Sequence, residues 1–138
     1  MEFKFERLEV WQMALSYTDQ VYVVAEALPR QEEYNLKSQI TRAATSIGLN
    51  IAEGSTGQSD AEQARFIGLA LRSLIETVAC LRLIQRRKYS VEAGQLESLD
   101  QAAHELAIKL QAFRRSLTKD YHRVSDSHEG LSVDADVI

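Results

Sequence analysis

Residues 39–54 read Gln-Ile-Thr-Arg-Ala-Ala-Thr-Ser-Ile-Gly-Leu-Asn-Ile-Ala-Glu-Gly, and this stretch decides the fold class. Apolar residues recur in it at spacings of three and four, which is the period of one face of an α-helix. The stretch therefore predicts an amphipathic helix from about residue 34 to residue 52. Its apolar stripe consists of Leu36, Ile40, Ala43, Ala44, Ile47 and Ile51.

Three further helices are predicted around this one. Helix one covers about residues 7–27 and ends at Pro29, because proline cannot donate to the helical hydrogen-bond ladder. A loop over residues 54–59 precedes helix three, residues 60–88, for which Ser59 and Glu62 form a capping box. Ser90 is a cap for helix four, which extends to about residue 121. The predicted apolar stripe of helix one is Leu8, Trp11, Leu15, Thr18, Tyr22 and Ala25.

Four helices of roughly 20 to 30 residues with short connections predict an all-α protein, an antiparallel up-down four-helix bundle. The bundle is expected over residues 1–124, and the 138 residues suffice for one domain with a core. Residues 125–138 lack periodicity and carry four acidic residues and no Lys or Arg. They predict a mobile acidic C-terminal tail.

The cellular location follows from what the sequence contains and lacks. The single cysteine, Cys80, cannot form an internal disulfide, which indicates a reducing compartment. There is no signal-peptide pattern in residues 1–28 and no run of 18 apolar residues. We therefore expect a cytoplasmic protein that has no membrane partner.

No catalytic, cofactor or metal site is predicted. A di-metal bundle requires Glu-x-x-His on two helices, whereas Gln101 and Lys119 stand three residues before His104 and His122. Cys80 lies among the core positions of helix three, where a buried inert thiol is expected rather than a nucleophile. The sequence also lacks a phosphate-binding glycine loop and a nucleophile elbow. We expect a protein that is not an enzyme.

The formal net charge of −4 conceals an uneven distribution. Residues 1–62 carry 5 Lys and Arg against 10 Asp and Glu, and residues 63–124 carry 11 against 6. Two basic rows result, and both are candidates for binding nucleic acid. An antiparallel pair places them at opposite ends, and the alternative is that they are solvated helix ends favoured by the helix dipole. The rows are Arg82, Arg86, Arg87 and Lys88 on helix three, and Arg114, Arg115, Lys119 and Arg123 on helix four.

A polar stripe follows one flank of the apolar stripe in the opening stretch. Two interpretations stay open: an ordinary solvated surface, or a hydrogen-bond network at a buried or subunit interface. In the network, Arg42 and Asn50 would meet Ser73 and Glu76 of helix three. The stripe consists of Gln39, Arg42, Ser46, Asn50 and Glu53, and Gly54 follows it.

The same stretch resembles the core motif of the four-helix-bundle proteins encoded by intervening sequences in 23S rRNA genes, the S23-type proteins. Leu8-Glu9-Val10-Trp11-Gln12-Met13-Ala14 is similar to the family's opening segment. Gly48 and Arg72 depart from the pattern, because the family often has proline and glycine at those positions. The matching residues are Gln39, Arg42, Ala43, Ala44, Ser46, Ile47, Asn50, Ile51, Ala52, Glu53 and Gly54, then Phe66, Ala70, Ser73 and Glu76.

The resemblance implies a small cytoplasmic helical protein without known catalysis, assembled as a ring-like homo-oligomer such as a homopentamer. It extends to the accessory bundles that work beside the reverse transcriptase of diversity-generating retroelements, whose basic members are expected to bind nucleic acid. Two hypotheses follow. The first is an oligomeric scaffold whose partners are copies of itself and another protein. The alternative is an accessory protein that binds RNA through the two basic rows.

Overall fold

The structure, a computed structural model, describes residues 1–57 and 59–118. Over these residues the chain forms four α-helices and no strand. The helices are α1 (Glu9–Glu26), α2 (Leu36–Gly54), α3 (Asp60–Arg87) and α4 (Ala93–Leu117), with two short 3-10 turns at Lys4–Arg7 and Arg30–Glu32. The predicted all-α fold is confirmed. The acidic tail predicted over residues 125–138 lies outside the described residues.

Each helix packs antiparallel against the next, and α4 closes the bundle against α1. Early residues of one helix meet late residues of its neighbour throughout the four pairs. The contacts are Trp11–Gly48 and Glu26–Lys37 (α1 with α2), Ser46–Ser73 and Gly54–Phe66 (α2 with α3), Gly68–Arg114 and Arg82–Asp100 (α3 with α4), and Glu9–Lys109 and Gln20–Ser98 (α4 with α1).

The buried face of α1 differs from the stripe that the sequence predicts. Leu15 and Tyr22 belong to the predicted stripe but are 43% and 46% exposed, whereas Tyr17 is fully buried. Tyr17 enters the core because its hydroxyl lies 2.7 Å from Thr77 Oγ1, which itself donates to the Leu74 carbonyl at 2.6 Å. Burial raises the pKa of Tyr17 to about 12. The core-facing residues of α1 are Val10, Ala14, Tyr17, Val21, Val24 and Ala25.

The connection between α2 and α3 also differs in detail from the prediction. Gly54 is the last residue of α2 and not the first of the loop. Ser59 caps α3 as predicted, accepting a hydrogen bond from the Glu62 backbone N–H at 3.1 Å. The Glu62 carboxylate pairs with Arg65 at 2.8 Å and does not reach back to the cap. The capping box is therefore half formed.

A buried carboxylate joins the two turns at one end of the bundle. Glu32, in the turn between α1 and α2, is 6% exposed. It accepts hydrogen bonds from the Asn35 side chain at 3.0 Å and the Leu36 backbone N–H at 3.3 Å. Tyr89, from the turn between α3 and α4, donates to its other oxygen at 2.5 Å. The hydrogen bond from Tyr89, followed by those from Leu36 and Asn35, lowers the pKa of Glu32.

This carboxylate predicts a pH dependence of stability. Because the pKa of Glu32 is lower in the folded chain than in the unfolded chain, its contribution is present at neutral pH and is lost on acidification. Urea unfolding between about pH 7 and about pH 3 should show that Glu32→Gln flattens the acid limb of the stability profile. Glu97→Gln, an exposed position on α4 with no ion pair or hydrogen bond of its side chain to the described residues, is the control and should leave the limb unchanged. Parallel profiles for wild type and Glu32→Gln would contradict the assignment.

Candidate functional site

Helices α2 and α3 approach each other closely where α2 ends. A Cβ atom added to Gly54 would lie 2.8 Å from the Phe66 Cβ and 3.4 Å from the Gln63 carbonyl oxygen. No real side chain tolerates the shorter distance, so the glycine permits the approach. Gly54 thus fixes how α2 and α3 meet.

About two turns earlier on α2, three polar side chains form a group in which one hydrogen bond crosses to α3. Ser73 Oγ donates to Ser46 Oγ at 2.9 Å across the α2–α3 interface. Asn50 donates from Nδ2 to the Ser46 carbonyl at 2.9 Å and to Ser46 Oγ at 3.1 Å. All three residues are half-buried, so their hydrogen bonds are partly shielded from water. A short polar network therefore exists inside the bundle.

The predicted contacts of Arg42 and Asn50 with Ser73 and Glu76 do not form among the described residues. Arg42 instead donates to Ser38 Oγ on its own helix at 3.1 Å, and Asn50 turns to Ser46. Arg42 and Glu76 are both exposed, and each has water as a competing partner. Of the predicted network, the Ser46–Ser73 contact alone crosses between helices in this part of the chain.

The outer members of the polar stripe form a surface together with two exposed leucines. Gln39, Arg42 and Glu53 on α2 are exposed, as is Glu76 on α3. Leu49 is 58% exposed on α2 and Leu83 is 51% exposed on α3. We call the exposed set the α2–α3 face, defined by Gln39, Arg42, Leu49, Glu53, Glu76 and Leu83. It combines charges of both signs with apolar side chains.

The basic row at the end of α3 is divided by its contacts. Arg82 pairs with Asp100 of α4 at 2.9 Å, so its charge is already compensated. Arg86, Arg87 and Lys88 are exposed, and Lys88 ends the helix in the left-handed conformation with φ of 58°. Three cations therefore remain at the surface of this end.

The second basic row lies at the opposite end of the bundle, as predicted. Two further arginines, which were not predicted as members of the row, lie beside it. Arg114 crosses onto α3, where its Nη1 would be 3.2 Å from a Cβ at Gly68. Arg65 and Arg72 lie on either side and line the same groove, which has a volume of about 440 Å³. Arg65, Gly68 and Arg72 are spaced by about one and two helical turns along α3. This spacing was the signal in the sequence that could have placed the two arginines beside the groove. Arg115 is exposed nearby, whereas Lys119 and Arg123 lie outside the described residues.

Two features of the described residues concern metal binding and the reactivity of the single cysteine. Within residues 1–57 and 59–118 there is no group of three or more His, Cys, Asp and Glu side chains placed to hold a metal ion. Cys80 is 5% exposed, and burial raises the pKa of its thiol, which disfavours the reactive thiolate. None of the described helices is long and apolar enough to cross a membrane.

The chain is similar to a known protein family and to a solved crystal structure. The pattern of the family described as 23S rRNA-intervening sequence protein matches residues 6–112. A crystal structure of a protein with unknown function from the S23 ribosomal protein family of Bacteroides thetaiotaomicron VPI-5482 is 28% identical, with a TM-score of 0.69. The similarity covers 77% of this chain and 98% of that chain. No curated protein matches the chain.

The close approach at Gly54 predicts a steric cost for any side chain there. Gly54→Ala should lower the free energy of unfolding by about 1–3 kcal/mol, because the new methyl group forces α2 and α3 apart. Gly94→Ala is the matched control in α4: nothing lies within 4 Å of its added Cβ, so it should be neutral or stabilise by up to about 1 kcal/mol. Urea denaturation measures both, and equal effects of the two variants would contradict the steric role.

Proposed function

The chain belongs to the family of 23S rRNA-intervening sequence proteins, and on that premise we propose that it is a non-enzymatic homo-oligomeric scaffold. Copies of the chain bind one another through the α2–α3 face, and the assembly then presents repeated surfaces to another protein. The observation that carries the proposal is the composition of that face: two largely exposed leucines together with charges of both signs.

Such a composition suits a protein interface better than a solvated helix surface. Single exposed leucines are common, but Leu49 and Leu83 lie on adjacent helices whose exposed sides also carry Arg42, Glu53 and Glu76. Protein–protein interfaces combine apolar contacts with polar and charged ones, and this face carries both kinds of side chain. The opposite charges allow one copy to complement another.

A ring such as the expected homopentamer needs two different faces on each copy, because its contacts are head-to-tail. The exposed residues Leu15 and Tyr22 of α1 supply a second apolar patch on a different part of the bundle. In this arrangement the α2–α3 face of one copy covers the α1 patch of the next. The Ser46–Ser73 network lies beneath the interface and keeps the face rigid.

Light scattering on the full chain tests this assembly. Wild type should have the mass of an oligomer, and Leu49→Asp should lower it, because the new carboxylate would be desolvated in the interface. Ile108→Asp is the matched control, since Ile108 is 57% exposed and Leu49 is 58% exposed, but Ile108 lies on α4. A wild-type mass of one chain, or an equal loss of mass in both variants, would overturn the proposal.

A second candidate function, RNA binding, is favoured by the exposed cluster of Arg86, Arg87 and Lys88 at the end of α3. A ring would repeat this cluster in every subunit and create a multivalent surface for phosphates. Tyr89 beside it is half-buried and donates to Glu32, so it is a poor stacking platform for a base. The candidate is therefore recognition of the phosphate backbone and not of sequence.

Anisotropy with a structured ribosomal-RNA fragment, titrated across salt, tests the second function. The affinity should fall steeply with salt, and Arg86→Gln with Lys88→Gln should reduce the slope of log affinity against log salt by about 0.7–0.9 for each phosphate that the protein no longer neutralises. Arg42→Gln, which removes a charge from the α2–α3 face, should leave the slope unchanged. Absence of binding at low salt would contradict this function.

A further inference from the structure

The groove between α3 and α4 has the chemistry of a site for an acidic peptide segment. Ala64 has a small side chain and Gly68 has none, which leaves space along α3 for the groove. Three arginines, Arg65, Arg72 and Arg114, line it, and no carboxylate does. Such a combination accommodates a segment that presents carboxylates alongside apolar side chains.

Two of the three arginines have no counter-charge in the part of the chain that the structure describes. The Arg65 side chain already has partners on its own helix: it pairs with Glu62 at 2.8 Å, and its guanidinium lies 4.6 Å from the centre of the Phe66 ring. The guanidinium groups of Arg72 and Arg114 make no ion pair or hydrogen bond within residues 1–57 and 59–118. Arg114 also lies against Gly68, so its guanidinium is held over the groove. Adjacent uncompensated cations repel one another, and an anion between them relieves that repulsion.

The chain itself contains a segment of matching chemistry at the right place. Helix α4 ends at Leu117, one turn beyond Arg114, so the described part of the chain ends beside the groove. Residues 125–138 contain four carboxylates and no Lys or Arg, and they also contain apolar side chains. The six residues 119–124 span at most about 20 Å, which is enough to turn back along α3 as far as Arg72. The acidic residues are Asp126, Glu129, Asp134 and Asp136, and the apolar residues are Leu131, Val133, Val137 and Ile138.

We propose that the acidic segment, residues 125–138, docks in the α3–α4 groove of its own chain and is held there by Arg72 and Arg114. Docking neutralises the groove and keeps it from other polyanions. The inference is independent of the assembly through the α2–α3 face, because the two surfaces share no residue.

A spin label on the segment of the full-length chain provides the test. Ser132→Cys introduces a labelling position, and Cys80 remains unlabelled because it is 5% exposed; labelling of wild type verifies this. The electron paramagnetic resonance spectrum should contain an immobilised component at low salt. Arg72→Gln with Arg114→Gln should lower the ratio of immobilised to mobile label about fivefold, because each exposed ion pair contributes a factor of about 1.5 to 5. High salt should have the same effect.

Two controls sharpen this measurement. Arg42→Gln, on the α2–α3 face, should leave the spectrum unchanged, and neutralising Asp134 and Asp136 by Asp→Asn should reproduce the loss seen with the groove variants. A label that is mobile in wild type at low salt overturns the proposal, as does immobilisation that decreases on dilution. Should the label be mobile while Arg72→Gln with Arg114→Gln abolishes RNA binding, the groove is instead a phosphate site.

Discussion

The approach of α2 to α3 at Gly54 is the contact on which the rest of the molecule depends. With a Cβ position only 2.8 Å from the Phe66 Cβ, glycine is the residue that fits at this spacing of the two helices. That packing brings Ser73 within 2.9 Å of Ser46 and aligns the polar stripe of α2 with the outer residues of α3. It also aims α3 so that its opposite side, with Gly68, receives Arg114 from α4. The packing at Gly54 is thereby linked to both the α2–α3 face and the α3–α4 groove.

The sequence was sufficient for the elements and their order. Periods of three and four, with breaks at Pro29 and Ser59, predict four helices that agree with the observed ones to within a few residues where the chain is described. The resemblance carried by residues 39–54 is confirmed by the family match. Both signals are local, because a helix and its caps are specified by residues close in sequence.

The remaining features depend on contacts distant in sequence, and for this reason they were missed. Two apolar stripes run along α1, and the choice between Leu15 and Tyr17 depends on a hydroxyl 60 residues away, on Thr77. Arg65 and Arg72 gained significance when Arg114 crossed α3 at Gly68, a contact that requires the register of α3 and α4. Likewise, Arg42 is exposed, and its side chain donates to Ser38 on its own helix and not to a residue of α3. Periodicity does not encode such choices.

If the α2–α3 face is an interface between copies, its side chains should be shielded from water in the intact protein. Leu49 and Ile108 are 58% and 57% exposed in the single chain and are chemically similar, so hydroxyl radicals should oxidise them at similar rates if both are solvated. Footprinting of the full-length protein with mass-spectrometric readout compares the two within one sample. We predict that Leu49 is oxidised several times more slowly than Ile108. Equal rates would contradict the assembly, because they would leave the α2–α3 face in water.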